Sequence, residues 1–368
     1  MLKEIHEQPR TVRDTLAGQV NDASGTVTLT EFPLSIAELK SLAWLRIVAS
    51  GTSRYAGLYG KYVIEELTGI CVDVDYASEF ECRRSAFAPP LTIVTSQSGE
   101  TSDTLAALRK ARQEGSRTLA ICNVKESSMM READAALHIK AGPELSVPST
   151  KAFGGQLTFM FLVALHLAQA RQSVPEQTVG DYVLQLKKIP DKLESVLRLD
   201  RRCAEVADRY ARFIDFIFFG RGAHYPIALD GALKLKEAAY VHTEGYPGGE
   251  FKHGQITLFD DQIVAVVSAT CDVGNPDSKA RYRQSADSAA EMSALSSHLV
   301  ALVTEGDQRV SKMAEEALYI PEASDLLSPL LEIVPLELLA YHLSIRRGLN
   351  PDRPRNLSKA VTGRLRAT

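Results

Sequence analysis

The chain has 368 residues and a formal net charge of −4, with 45% hydrophobic and 24% charged residues. That length predicts two domains, each large enough to bury a hydrophobic core. The charge balance excludes the strongly basic composition of nucleic-acid-binding proteins and offers nothing to an anionic membrane. Five scattered cysteines without zinc-ligand spacing predict reduced thiols in a cytoplasmic protein with no metal site.

The predicted elements divide the chain into five parts. Residues 1–40 predict a helical arm, and residues 41–175 alternate apolar strands with helices, as in a parallel sheet covered on both faces. A charged helical linker is predicted over 176–210, the alternation resumes over 211–345, and 346–368 form a tail. The most apolar segment, 157–167, is too short to span a bilayer and predicts a helix buried between domains or subunits.

The two alternating regions are related in sequence. A shift of 171 positions superposes identical residues in register, namely Gly51 on Gly222, Gly60 on Gly231, Glu66 on Glu237, Glu79 on Glu250 and Phe80 on Phe251. Such identities indicate an internal duplication. The predicted fold class is therefore α/β, with two doubly wound parallel sheets of common origin.

A loop rich in hydroxyl groups joins the apolar strand over 91–95 to a helix that begins near Asp103. A helix N-terminus attracts anions through its free amide groups and its dipole. The loop adds uncharged donors from Ser96, Gln97, Ser98 and Thr101, which suits a small phosphoester. The alternative is a set of helix-capping side chains with a purely structural role.

A second turn of this kind, residues 49–53, carries Thr52 and Ser53 next to Gly51. In an open parallel sheet, ligands bind outside the carboxyl ends of the strands. The two turns are therefore expected to converge on one phosphate group, although a lone turn glycine such as Gly51 is more often only structural.

Three further positions carry groups for proton transfer. Lys234 and Glu237 lie three residues apart on a predicted helix and share a face, either as a solvated ion pair or as a carboxylate base beside a cation. His253 lies in a glycine-rich loop and is a candidate proton shuttle, although a lone loop histidine is commonly a surface residue. On composition alone, Lys359 is an ordinary residue of a basic tail.

Together these residues resemble the sugar isomerase (SIS) family, and within it the isomerase domain of the glutamine–fructose-6-phosphate amidotransferases. The resemblance covers nearly the whole chain, and it is specific because many motifs match in order. The matching segments are residues 3–9, 96–101, 119–124, 149–153, 220–222, 231–237, 252–254, 338–342 and 354–357.

The resemblance implies two doubly wound, flavodoxin-like SIS domains that need no metal and no organic cofactor. It implies that Ser53, Ser96, Gln97, Ser98 and Thr101 bind a sugar phosphate and that Val147 and Ser358 line the sugar. Glu237 would move a proton between C1 and C2 with Lys234 assisting, and Lys359 would contact the open-chain sugar. His253 would open the ring from the neighbouring subunit, which predicts a homodimer with a shared site.

The predicted function is the interconversion of glucosamine 6-phosphate with fructose 6-phosphate and ammonia, run most usefully as a deamination. The alternatives are a deglycase of phosphorylated fructosyl-amino acids, the isomerase domain of a glucosamine-6-phosphate synthase, and a non-catalytic sugar-phosphate sensor. A sensor would have no need for Glu237, His253 and Lys359 together.

Several positions depart from the synthase pattern. The isomerase-like segment follows Met1 directly, so no glutaminase segment is expected. Ser50 and Gln255 replace the cysteine and proline usual in the synthases, and the tail beyond Lys359 is longer. These departures favour a stand-alone relative of the synthases.

Overall fold

The computed structural model of the protein describes residues 1–21, 24–82, 84, 88–296, 298–360 and 362. The last part of the predicted tail, residues 361 and 363–368, lies outside the described residues. The chain divides into two compact units. The first unit comprises Arg10–Leu145, Ser149–Lys187 and the residues from Ser358 onward, and the second unit comprises Met1–Pro9, Ser146–Pro148 and Lys188–Leu357. The predicted domain boundaries at 40, 175, 210 and 345 stay predictions.

The amino-terminal half of the chain contains eight helices and seven strands among its described residues. They are α1 (Leu2–His6), α2 (Gln8–Leu16), β1 (Val20–Asn21), β2 (Thr26–Val27), α3 (Ile36–Ser41), β3 (Trp44–Ala49), α4 (Gly51–Thr68), β4 (Cys71–Tyr76), α5 (Ala77–Cys82), β5 (Leu91–Ser96), α6 (Ser102–Gln113), β6 (Arg117–Cys122), α7 (Ser128–Glu132), β7 (Ala135–His138) and α8 (Lys151–Arg171).

The carboxyl-terminal half contains α9 (Glu176–Val196), α10 (Asp200–Tyr210), β8 (Asp215–Gly220), α11 (Tyr225–Ala239), β9 (His242–Pro247), β10 (Ile263–Ala269), α12 (Pro276–Leu295), β11 (Leu299–Thr304), β12 (Glu316–Ile320) and α13 (Pro329–Arg346). Short 3-10 turns cover Leu197–Leu199, Gly222–His224, Gly248–Lys252 and Gln255–Leu258.

Each unit is built on a five-stranded sheet whose strand pairs are all parallel. The strand order is β4-β3-β5-β6-β7 in the first unit and β9-β8-β10-β11-β12 in the second. The central strands β5 and β10 are buried along their whole length, which is why their sequences are continuous β-branched runs. The predicted fold class, two doubly wound parallel sheets, is confirmed.

The glycines that coincide after a shift of 171 positions have the same structural roles in both units. Gly51 and Gly222 open the turns after β3 and β8 with φ angles of +55° and +56°, which a side chain would strain. A Cβ atom on Gly60 would come within 2.7 Å of Met160 on α8, and one on Gly231 within 2.7 Å of Leu336 on α13. These two contacts identify Met160 and Leu336 as equivalent positions.

Helix α8 contains the apolar segment that predicted a buried helix. Every residue of it from Lys151 to Leu165 is buried, and it packs along α4 in the first unit. Among the described residues it is also the one helix whose length and hydropathy suffice for a membrane span, and 89% of its apolar window is buried inside the protein. The core helices of globular proteins share these properties.

The predicted helical arm contains a feature that the sequence did not reveal. After α2, the strands β1 and β2 pair as a small antiparallel hairpin. Each strand has only two residues, which is too short for a periodic pattern to indicate a strand.

Candidate functional site

The two hydroxyl-bearing turns of the first unit lie side by side. They follow β3 and β5, which are neighbours in the sheet although β4 separates them in sequence. Ser50 Oγ in one turn lies 3.4 Å from Thr104 Oγ1 at the start of α6. The carboxyl ends of strands at such a reversal of strand order form the crevice where open α/β sheets bind ligands. The expected convergence of the turns is therefore observed.

The loop after β5 is held in shape by hydrogen bonds between its own groups. The Gly99 amide donates to Ser96 Oγ at 3.1 Å, and the Glu100 amide donates to Ser98 Oγ at 3.2 Å. Gly99 has a φ of +68°, and a Cβ atom there would lie 2.2 Å from Ser127 Oγ. These bonds fix the loop at the N-terminus of α6, where hydroxyl groups and amides suit an anion.

Ser53 belongs to the first turn of α4, and its side chain is hydrogen-bonded by a residue of α8. Gln156 Nε2 donates to Ser53 Oγ at 2.9 Å, and both side chains are buried. Its neighbour Thr52 is buried as well. Thr52, Ser53, Ser96, Gln97, Ser98 and Thr101 thus all lie in the turns at one edge of the first sheet.

The tail returns to the first unit at Lys359. Its ammonium group donates to Glu144 Oε2 at 2.6 Å, and the Glu144 side chain is fully buried. Glu144 also accepts the backbone N–H groups of Thr150 at 2.9 Å and Ala152 at 3.0 Å, so it caps the N-terminus of α8. Ser358, the preceding residue, is exposed.

In the second unit, α11 carries a buried cluster of charges. Lys234 Nζ lies 2.9 Å from Glu237 Oε2 and 3.8 Å from Asp230 Oδ1. Burial acts to lower the pKa of Lys234, but Asp230 and Glu237 outweigh it and raise that pKa above its ordinary value. Lys234 is therefore an ammonium group, and Glu237 accepts a hydrogen bond from it.

Glu237 also lines an open pocket of about 510 Å³ in the second unit. Tyr240 and Arg355 form part of its wall, with the Arg355 guanidinium 4.5 Å from the centre of the Tyr240 ring. The Arg355 amide donates to the Tyr240 hydroxyl at 2.6 Å. A carboxylate that receives an ammonium hydrogen bond and still reaches a pocket has the setting of a general base.

His253 and Val147 complete the second unit's share of the predicted residues. His253 follows the 3-10 turn Gly248–Lys252 and is exposed, and its imidazole makes no hydrogen bond to the other described residues. Val147 is half-buried, and its amide donates to the Asp352 carbonyl at 3.0 Å. Each unit therefore gathers its own subset: the hydroxyl turns and Lys359 in the first, and Lys234 and Glu237 in the second.

Sequence reasoning missed three residues of these clusters. Asp230 precedes Lys234 by one helical turn, a spacing visible in the sequence. Gln156 is a polar residue within an apolar helix, which is a weaker signal. Glu144 gave no signal, because its partners are backbone amides, the Ser149 hydroxyl and a lysine 215 residues away. Among the described residues, no group of three or more histidine, cysteine, aspartate or glutamate side chains could hold a metal ion.

The fold and the following comparisons place the chain in a class of protein, the phosphosugar isomerases built from SIS domains. The family model for the SIS domain matches the chain twice, over residues 44–166 and 215–347. The chain belongs to the SIS domain family.

Similar proteins narrow the relationship further. The chain is 41% identical over 363 residues to a glutamine–fructose-6-phosphate aminotransferase (isomerizing) of Chlorobaculum tepidum, covering 98% of this chain and 58% of that protein. The C-terminal domain of a glucosamine-fructose-6-phosphate aminotransferase from Francisella tularensis has 34% identity and a TM-score of 0.88, with 96% of this chain and 98% of that domain covered. A glucosamine-6-phosphate deaminase from Thermotoga maritima shares the fold, with a TM-score of 0.72 at 20% identity over 98% of both chains.

Proposed function

We propose that this protein interconverts glucosamine 6-phosphate with fructose 6-phosphate and ammonia. The observation that carries the proposal is the hydrogen bond from the buried Lys234 ammonium to Glu237, whose carboxylate also lines a pocket. Moving a proton between adjacent carbons of a sugar needs a carboxylate base and a nearby cation for the oxygen that gains negative charge. The similarity to the Francisella tularensis domain supports the choice of sugar.

In the proposed reaction the phosphate of the substrate is held by the turns that contain Ser53 and Ser98. His253 opens the sugar ring, and a homodimer would allow it to act from the neighbouring subunit. Glu237 takes the proton from C2 of the open-chain amino sugar and returns it to C1, while the oxygen on C1 gains a proton and the nitrogen on C2 loses one, which leaves a hydroxyl group on C1 and an imine at C2. Water hydrolyses that imine and releases ammonia and fructose 6-phosphate; the reverse sequence consumes ammonia.

Lys359 and Val147 are proposed to line the open-chain sugar together with Ser358. Glu144 would hold the Lys359 side chain, since it binds the ammonium at 2.6 Å. The homodimer and a cytoplasmic location remain predictions from the sequence.

A second candidate function is the isomerase part of a glutamine-dependent synthase. The observation in its favour is that the chain covers 98% of the solved C-terminal domain but spans 58% of the length of the curated relative. In that case the proton shift would be the same, and a glutaminase would supply the ammonia.

One assay tests the proposal. The purified protein is incubated with glucosamine 6-phosphate, and fructose 6-phosphate and ammonia are both measured. Release of the two in equal amounts is the expected result. Interconversion of glucose 6-phosphate and fructose 6-phosphate without ammonia would favour the isomerase part of a synthase. Without either reaction, phosphorylated fructosyl-amino acids are assayed next; turnover of none of these would contradict an enzymatic role.

A further inference from the structure

The two units have different residues, Gln156 and Glu332, at one equivalent helix position. Gln156 and Glu332 each lie four residues before the helix residue that contacts the repeat glycine, Met160 in α8 and Leu336 in α13. They are therefore structural counterparts on α8 and α13. The shift of 171 that relates β3–α4 to β8–α11 also makes Ser53 the counterpart of His224.

Both counterpart pairs are hydrogen-bonded in the structure. In the first unit, Gln156 Nε2 donates to Ser53 Oγ at 2.9 Å. In the second unit, His224 Nδ1 lies 2.6 Å from Glu332 Oε1, and both side chains are fully buried. Each unit thus has one polar contact between this helix, α8 or α13, and the segment that follows β3 or β8, but the charge of the contact differs. It is neutral in the first unit and ionic in the second.

The ionic pair belongs to a network that fills the second unit's turn. Thr270 Oγ1 donates to Glu332 Oε1 at 2.5 Å, and Arg281 binds Asp325 at 2.6 Å beside His224. Thr270 follows β10 at the position that Gln97 has after β5, as the strand registers show. A buried carboxylate with these partners has no place for an incoming dianion, because burying like charges together is strongly unfavourable.

The neutral Gln156–Ser53 pair of the first unit places no negative charge that would repel a dianion. Because the amide N–H of Gln156 occupies a lone pair of Ser53 Oγ, the Ser53 hydroxyl must point its own hydrogen elsewhere. Within the described parts of the chain, Gln156 is the one hydrogen-bond partner of that hydroxyl. Its hydrogen is therefore free to serve a ligand in the crevice above β3 and β5.

We propose that Gln156 is a positioning residue for the phosphate group: its amide directs the Ser53 hydroxyl toward the ligand, and its neutrality keeps the base of the crevice free of negative charge. The inference rests on the proposed function, because it assumes that the crevice takes a sugar phosphate. The second unit differs at this position, since the buried carboxylate of Glu332 occupies the counterpart of Gln156.

The test introduces at position 156 of the first unit the carboxylate that the second unit has at Glu332. Gln156→Glu keeps the shape of the side chain, and its carboxylate would accept the Ser53 hydrogen and place a negative charge beneath the ligand. Binding of fructose 6-phosphate is expected to weaken about 100-fold, since the variant loses one donor and gains a buried like charge. Gln156→Met removes the hydrogen bond without adding charge and is expected to weaken binding about tenfold.

The binding is measured by titration calorimetry with the whole protein, so that the result does not depend on turnover. Gln169→Glu is the matched control, because Gln169 lies on the same helix and binds the Val27 backbone. It is expected to leave the affinity for fructose 6-phosphate unchanged. Circular dichroism and thermal unfolding of each variant separate misfolding from loss of binding.

A double variant distinguishes positioning from a general effect on packing. If Gln156 acts through Ser53, then Gln156→Met in a Ser53→Ala background adds little further loss of affinity. A full additional tenfold loss in that background would overturn the inference, as would unchanged affinity in folded Gln156→Glu protein. Failure of the native protein to bind fructose 6-phosphate would overturn the proposed function, and the inference with it.

Discussion

Helices α4 and α11 occupy equivalent places in the two units, yet they bury side chains of opposite character. On α4 the positions facing the interior are Tyr59 and Val63, and both are fully buried. Their counterparts on α11, related by the shift of 171, are Asp230 and Lys234, which are equally buried. One turn further on, Glu66 is exposed, whereas Glu237 is mostly buried beside Lys234.

The two units thus differ in where their charged and uncharged polar side chains lie. A buried carboxylate and ammonium are expensive to desolvate unless they are paired, so they are kept where they have a task. The first unit has uncharged residues at these positions on α4, and its hydroxyl-bearing side chains Ser96 and Ser98 lie at the end of β5 and in the turn after it. The second unit has an ionic network in the turns after β8 and β10 and carries the buried charges of Asp230, Lys234 and Glu237 on α11. The following predictions test this division from the largest expected effect to the smallest.

Replacing the base should abolish turnover. Glu237→Gln keeps the shape of the side chain but removes its basicity, so the proposed deaminase rate should fall by about 1000-fold or more, while fructose 6-phosphate still binds. The measurement is kcat for ammonia release together with a binding titration. Glu66→Gln is the matched control, because Glu66 holds the equivalent position and is exposed. A folded Glu237→Gln protein with native kcat would contradict the proposed mechanism.

Removing the buried ammonium should destabilise the second unit. Lys234→Met places an apolar side chain where α4 has Val63 and takes a cation away from Asp230 and Glu237. Breaking a buried ion pair typically lowers the free energy of unfolding by about 3–5 kcal/mol, which urea titration would measure. Lys234→Met combined with Asp230→Asn is expected to recover part of that loss. If the double variant is no more stable than Lys234→Met alone, the two charges are not coupled.

Removing one hydroxyl from the loop after β5 should weaken the substrate complex moderately. Ser98→Ala is expected to raise KM about tenfold with little change in kcat, because a bound phosphate loses one uncharged donor. Cys271 holds the register-equivalent position after β10, so Cys271→Ala is the control and should leave KM unchanged. Equal changes in KM for Ser98→Ala and Cys271→Ala would contradict the proposal that only the first unit's loop binds the phosphate.

The ionic pair of the second unit should make its stability depend on pH. Burial and Arg281 act to lower the pKa of His224, but Glu332 and Asp325 outweigh them and raise it; burial acts to raise the pKa of Glu332, but His224 and Thr270 lower it. The His224 contribution is therefore complete below its ordinary pKa and is lost as pH rises through the raised value. The Glu332 contribution is complete above its ordinary pKa and is lost as pH falls through the lowered value.

Urea unfolding at several pH values would measure this dependence. The native protein should lose stability as the pH is raised from below the ordinary histidine pKa through the raised pKa of His224, and His224→Gln should lose less over the same range. The neutral Gln156–Ser53 pair of the first unit contributes no such titration. An identical pH profile in the native and His224→Gln proteins would contradict the ionic assignment.

The sequence predicted the duplicated α/β fold because its main signals are local. The β-branched strands, the glycines at Gly51 and Gly222 and the in-register identities are all readable along the chain. The hydroxyl turns were predicted to meet because parallel strands end at one edge, and they do. Gln156 and Glu144 could not be predicted in the same way, because their contacts join residues about 100 and 215 positions apart. The roles proposed for His253 and Lys359 still depend on the family resemblance.

Helix α8 has a consequence for how the protein is made. Its apolar residues face the interior on all sides, and 89% of its most apolar window is covered in the folded state. During synthesis this helix leaves the ribosome after all five strands of the first sheet and long before the residues from Ser358 onward, which belong to the same unit. Until the helix has packed against that sheet, its apolar side chains form a surface suited to chaperones and to aggregation. The helix that supports the Ser53 turn is thus also an apolar surface that folding of the first unit has to cover.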